Sequence, residues 1–110
     1  NLIEGNLEKG TEVLVVEDLI STGSTSLGAV AAVREAGAAA NKCLAIFTYE
    51  MDIAKNGFAA ANCELLTLSN FTTLVKVAAK KGYIQKEEIS MLKEWSRNPA
   101  EWGKKMGFEQ

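Results

Sequence analysis

The sequence predicts an α/β fold built on a parallel sheet. Three short apolar runs, at residues 13–16, 42–49 and 64–68, are separated by segments of helical periodicity. Strands that alternate with helices form parallel sheets with right-handed crossovers. The chain has 110 residues, a length that suits one domain and lets a single core bury roughly two-thirds of the unfolded surface.

The elements follow in order. Residues 13–16 (Val-Leu-Val-Val) come after a Lys9-Gly10 turn and read as a strand buried on both faces. Residues 24–36 read as a helix: Leu27, Val30 and Ala31 share a face, and Gly37 fits the position just past its end. Residues 42–49, with Leu44, Ala45, Ile46 and Phe47, read as a second buried strand. A short helix covers 51–60, interrupted by Asn56-Gly57. Residues 64–68 make the third strand, and Ser69 or Asn70 caps a helix that runs to Lys80 and stops at Gly82. Residues 86–97 carry Ile89, Leu92 and Trp95 at helical spacing. Asn98-Pro99-Ala100-Glu101 then opens a last helix, with Asn as N-cap, Pro in the first position and Glu in the third. The order is β-α-β-α-β-α-α-α, with no internal repeat, linker or low-complexity segment.

Composition narrows the function. Apolar residues make up 47% and charged residues 24%, as in ordinary globular proteins. Twelve basic against fourteen acidic residues give a net charge of −2, a balance that disfavours nucleic-acid and anionic-membrane partners. No apolar run approaches the roughly 20 residues that span a bilayer. Nothing at the start resembles a signal peptide. Cys43 and Cys63 lack metal-site spacing and sit in apolar surroundings, so they read as buried free thiols in a reducing cytoplasm. The chain has no histidine, which excludes a Ser-His-Asp triad, a Cys-His pair and a His-ligated zinc within it.

The chemistry concentrates in Val13-Leu-Val-Val-Glu-Asp-Leu-Ile-Ser-Thr-Gly-Ser-Thr-Ser26. A strand ends in two carboxylates, and a hydroxyl-rich loop opens the next helix. Ligands of parallel α/β sheets sit beyond the carboxyl ends of the strands. Amides at a helix N-terminus carry partial positive charge and bind phosphate. Gly23 leaves room for an anion near the backbone, and Thr22, Ser24, Thr25 and Ser26 add hydroxyl donors. Glu17 and Asp18 would repel a phosphate unless they accept sugar hydroxyls or a divalent cation intervenes. Mg²⁺ favours few carboxylates plus substrate oxygens. The pattern therefore points to a ribose 5-phosphate, with the diol over the acids and the phosphate in the loop. Strand neighbours point to opposite faces, so both acids reach one ligand only if the strand ends between them. Neither a P-loop nor a dinucleotide glycine motif is present.

The run Val15-Val-Glu17-Asp18-Leu19-Ile20-Ser21-Thr22-Gly23-Ser24-Thr25-Ser26 resembles the phosphoribosyl pyrophosphate (PRPP) motif of the type I phosphoribosyltransferases. Three flanking segments resemble the orotate phosphoribosyltransferases in particular: Asn1-Leu-Ile-Glu-Gly5, Ala45-Ile-Phe-Thr-Tyr49 and Leu65-Leu-Thr-Leu-Ser-Asn70. The resemblance covers residues 1–110 but only the C-terminal half of the family's protein. It implies the C-terminal portion of a Rossmann-like parallel-sheet core. It also implies transfer of ribose 5-phosphate from PRPP to orotate, giving orotidine 5-monophosphate and pyrophosphate in pyrimidine biosynthesis. Another base acceptor, or a PRPP-binding regulator without transferase activity, is the alternative.

By the same resemblance, Glu17 and Asp18 take the ribose hydroxyls and favour positive charge at the anomeric carbon. Leu19, Ile20, Ser21, Thr22, Gly23, Ser24 and Thr25 complete the PRPP site, with the 5-phosphate wrapped by residues 21–25. Ser21 also touches orotate. Mg²⁺ binds through pyrophosphate and ribose oxygens rather than directly to the chain. The family's base-binding hood and its mobile loop with catalytic Lys and His fall in the N-terminal part, so no catalytic residue is assigned here. The 110 residues alone are expected to be inactive, and the family's active site is shared across a homodimer.

Other residues have simpler readings. Residues 49–52 follow the second strand and read as loop packing, with a crevice-lining role second. Asn70, Phe71 and Thr72 read as a cap and core, Trp95 and Trp102 as packing, and Lys80-Lys81 as helix-end charge compensation. Val13 to Asp18 also resembles the start of a phosphoacceptor receiver domain with Asp52 as acceptor, but the hydroxyl-rich loop has no place in that mechanism.

Overall fold

The computed structural model describes residue 3 and residues 5–107. Asn1, Leu2 and Glu4 lie outside the described residues, and with them most of the first flanking segment. The elements are β1 (Glu12–Ile20), α1 (Ser24–Glu35), β2 (Ala39–Thr48), α2 (Asp52–Ala60), β3 (Glu64–Asn70), α3 (Phe71–Lys80), α4 (Glu88–Arg97) and α5 (Pro99–Lys105). The strands form one parallel sheet in the order β1-β2-β3.

Local chemistry sets most boundaries. Gly37 adopts φ +93° just past α1 and donates its amide to the Arg34 carbonyl. Asn70 caps α3 by accepting from the Thr73 amide at 2.8 Å. Asn98 does the same for the Glu101 amide at 3.1 Å, with Pro99 opening α5. One expectation is corrected. Asn56-Gly57 does not interrupt α2, which runs unbroken. A Cβ on Gly57 would lie 2.7 Å from Leu27 Cδ1. The glycine therefore serves close approach of α1 and α2 rather than a break.

The core lies on one face of the sheet. Val30 and Val33 of α1 and Ala54 and Phe58 of α2 pack with Ile20, Ala40, Cys43 and Ala45. Arg34 fastens this layer: its guanidinium donates to the carbonyls of Ala61 (2.5 Å), Ala40 (2.8 Å) and Asn62 (3.4 Å). Those carbonyls end α2 and begin β2.

The opposite face corrects a second expectation. The strands are not buried on both sides. Val16 is 69% exposed, Ile46 57% and Leu68 74%, and Leu14 and Leu66 are exposed beside them. Both crossover helices lie on the other face, so this one has no cover within the described residues.

Beyond β3, an aromatic knot holds the tail. Tyr49, Phe71 and Trp95 have ring centroids 5.7–6.0 Å apart, and Phe47 meets Tyr49 edge-on at 5.2 Å. No described helix is long and apolar enough to cross a membrane.

Candidate functional site

β1 carries the acids inside the strand, since it runs on to Ile20. The strand therefore does not end between Glu17 and Asp18, and its pleat directs the two side chains to opposite faces. On the helix side, Glu17 Oε2 accepts from Ser26 Oγ at 3.0 Å. Ser26 is only 2% exposed, so Glu17 is tied to the first turn of α1. Asp18 is exposed, and its Oδ1 accepts from the Leu19 amide at 2.8 Å.

The loop between β1 and α1 encloses a small pocket of about 40 Å³ lined by residues 19–26. Ser21, Thr22, Ser24 and Thr25 are all exposed around it. Gly23 is the N-cap of α1 at φ +86°, and no side chain caps the helix. The first amides of a helix are orphan donors, and here they open beside hydroxyls. Thr22 Oγ1 lies 3.2 Å from Ser24 Oγ and accepts from the Ser24 amide at 3.3 Å. The need for glycine at position 23 is double. Its φ is left-handed, and a Cβ would stand 3.2 Å from Phe58 Cε2. The second constraint comes from α2 and is not visible in the loop's own sequence.

The approach of Arg97 and Asn98 to the loop was not legible in the sequence. At the α4–α5 junction, the two share a cavity of about 400 Å³ with Thr22, Met51 and Ile53, where Met51 fits the second reading of residues 49–52. That cavity brings a guanidinium-bearing residue alongside the loop from 75 positions downstream. Glu50 adopts φ +61° and accepts from the Thr72 amide (2.8 Å) and Thr72 Oγ1 (2.6 Å). It joins the β2–α2 loop to the start of α3, so its role is structural. Tyr49 is likewise committed to the aromatic knot. A separate cavity of about 370 Å³ lies between α2 and β3, lined in part by Thr48, Lys55, Thr67 and Asn70.

Cys43 and Cys63 are buried free thiols, as expected. Burial pushes both upward from their ordinary value, with a Ser26 hydrogen bond partly opposing the rise at Cys43 and the Arg34 charge partly opposing it at Cys63.

Curated relatives match nearly the whole chain. An orotate phosphoribosyltransferase of Listeria innocua is 50% identical over 104 residues, covering 94% of this chain and 50% of the relative. One from Bacillus caldolyticus is 46% identical over 101 residues, covering 92% of this chain and 49% of the relative. The chain is homologous to about half of an orotate phosphoribosyltransferase. It spans about half the length of the curated relatives it matches. No known family profile matches the chain. Among solved structures, Leishmania donovani UMP synthase aligns with a TM-score of 0.66 at 22% identity, over 84% of this chain and 21% of that one. Orotate phosphoribosyltransferase from Aeropyrum pernix aligns with a TM-score of 0.62 at 22% identity, over 69% of this chain and 45% of that one. These two likenesses establish the α/β fold.

Proposed function

We propose that residues 1–110 are the C-terminal, PRPP-binding part of an orotate phosphoribosyltransferase. The whole enzyme would form a bond between orotate and the anomeric carbon of PRPP, releasing pyrophosphate and yielding orotidine 5-monophosphate. The observation that supports this most is the juxtaposition of exposed Asp18 with the uncapped, hydroxyl-rich start of α1.

In this reading the 5-phosphate sits against Ser21, Thr22, Gly23, Ser24 and Thr25, with Leu19 and Ile20 shaping the approach. Asp18 accepts ribose hydroxyls. Glu17, on the other face of β1, braces the first turn of α1 through its Ser26 hydrogen bond, and Ser21 faces the base. In this reading Mg²⁺ would arrive with the substrate. Among the described residues, no group of three or more His, Cys, Asp or Glu side chains could hold a metal. Its ligands would come from pyrophosphate and ribose oxygens, which suits its reluctance to shed oxygen ligands for a protein cage. A homodimer with a shared site, in the cytoplasm, completes the proposal.

The test is calorimetric titration of the chain with ribose 5-phosphate and with Mg²⁺-PRPP. Binding is expected, and Asp18→Asn should weaken it about tenfold to a hundredfold, since a hydrogen bond to a charged group contributes roughly 1.5–3 kcal/mol. Thermal stability should stay unchanged, because Asp18 is exposed. Absence of binding by the unsubstituted chain refutes the reading. Orotate-dependent pyrophosphate release by the chain alone should be undetectable; turnover near ~10 s⁻¹ would show that no further segment is needed.

A further inference from the structure

The phosphate loop carries no cation of its own. Residues 17–26 hold two carboxylates and neither lysine nor arginine. A phosphate dianion bound there would meet only amides and hydroxyls, with the exposed Asp18 nearby. Like charges at short range oppose binding unless a cation offsets them. The nearest basic residues do not supply one. Lys9 precedes β1, at the far end of that strand. Arg34 donates to three carbonyls at the other end of α1. Lys55 lines the separate cavity between α2 and β3.

The fold brings a cation in from the tail. The cavity of about 400 Å³ beside the loop has one basic lining residue, Arg97, and one loop residue, Thr22. Thr22 also lines the small loop pocket, so the two spaces adjoin at this residue. A volume of about 400 Å³ is roughly 9 Å across, about one Debye length in physiological salt. A charge on one wall is therefore felt on the other.

The backbone of Arg97 is held on both sides. Before it, Ser96 is 3% exposed and donates to the Lys93 carbonyl, and Trp95 lodges against Tyr49 and Phe71. After it, Asn98 caps α5 through the Glu101 amide. The Arg97 side chain, by contrast, is exposed and has no ion pair or hydrogen bond among the described residues. Its planar fork of N–H donors suits phosphate oxygens. A simpler role is also open to it: a positive charge in the last turn of α4 complements the helix dipole. That role asks nothing of a ligand, so the two separate by experiment.

We propose that Arg97 is the cation of the phosphate site. With a sugar 5-phosphate in the loop, its guanidinium crosses the cavity and binds the phosphate oxygens on the Thr22 side. This rests on the proposed function and adds a residue to it. The same contact ties the tail to the loop, so bound phosphate and a closed tail favour one another.

The experiment titrates ribose 5-phosphate calorimetrically into the chain and its variants at low salt. Arg97→Gln should weaken binding about tenfold through loss of a charge-assisted contact. Arg97→Lys should recover part of that loss, since it keeps the charge but not the fork. Lys104→Gln makes the same charge change on an exposed residue of α5 outside the cavity and should bind like the parent. The gap between parent and Arg97→Gln should narrow as salt rises to about 1 M. Both tryptophans lie in the tail, so their emission follows its release on heating. Ribose 5-phosphate should raise that midpoint, and less so in Arg97→Gln.

Equal affinity of parent and Arg97→Gln overturns the inference, as does an equal loss in Lys104→Gln. A loss that lysine does not recover, that salt leaves unchanged and that comes with a lower midpoint without ligand assigns Arg97 to helix stability and overturns it too. Where Arg97→Gln loses helical signal in circular dichroism, Arg97→Met is read in its place. In each of these cases the parent still binds, and the proposed function stands. A parent chain that binds no ribose 5-phosphate removes both.

Discussion

Replacing Gly23 with alanine tests how the loop is held in place. The backbone there sits at φ +86°, in the left-handed region that costs an L-residue roughly 1–2 kcal/mol relative to glycine. The added Cβ would also meet Phe58 Cε2 at 3.2 Å and Ala54 Cβ at 3.5 Å. Phe58 is buried against α1 and the sheet, so the ring cannot swing away freely, and overpacking of this sort costs about 1 kcal/mol or more. The two contributions together come to about 2–3 kcal/mol. In a domain of this size that is a fall in melting temperature of roughly 10 °C or more. Urea denaturation followed by circular dichroism measures it. A second background, Phe58→Leu, removes the ring edge but leaves the φ unchanged. Gly23→Ala should therefore cost about 1 kcal/mol less there than in the parent. An unchanged or raised midpoint for Gly23→Ala would refute the reasoning. So would an equal loss in both backgrounds, which would assign the whole cost to φ.

Two further perturbations follow from the same packing. Arg34→Met strips donors from the Ala61, Ala40 and Asn62 carbonyls and should cost about 2–3 kcal/mol in urea denaturation, with Lys restoring only part of it because it lacks the planar fork. The thiols give a pH dependence. Folded Cys43 and Cys63 ionise above the ordinary value of 9.0 because they are buried. Their contribution to stability is therefore complete below that value and is lost as pH rises through the native thiols' higher range. Stability should decline above pH 9, and Cys43→Ala with Cys63→Ala should flatten the decline; a slope unaltered by the double substitution would contradict this. Iodoacetamide at pH 8 should label neither thiol in the folded chain and both in urea.

Much of the architecture was readable because the signals are local. Asn70, Asn98-Pro99 and Gly37 each act on their own helix end, and the structure places them there. The strands were readable from their apolar runs, but their burial was not. An apolar run says that a face wants cover; it cannot say whether the cover belongs to the same 110 residues. Asn56-Gly57 looked like a break because Leu27, the residue that needs the missing Cβ, is 30 positions away. The site shows the same division. Glu17, Asp18 and the loop were legible as a group because they are contiguous. The Ser26 bond to Glu17, the pressure of Phe58 on Gly23 and the arrival of Arg97 beside Thr22 were not, since each depends on how elements pack.

The aromatic knot has a consequence for how the molecule opens. α4 buries only Ser96 and α5 only Gly103, so the tail adds little buried apolar surface of its own and depends on Trp95 lodging between Tyr49 and Phe71. Segments with few buried apolar contacts detach at lower free energy than the core they rest on. The tail should therefore open before the core, and its release has an optical reporter, since both tryptophans, Trp95 and Trp102, lie in it. Tryptophan emission follows its release, while amide exchange in β2 follows global unfolding. The wall of the cavity that Arg97 and Asn98 build beside the loop belongs to that more easily opened tail, whereas Asp18 and Gly23 belong to the core.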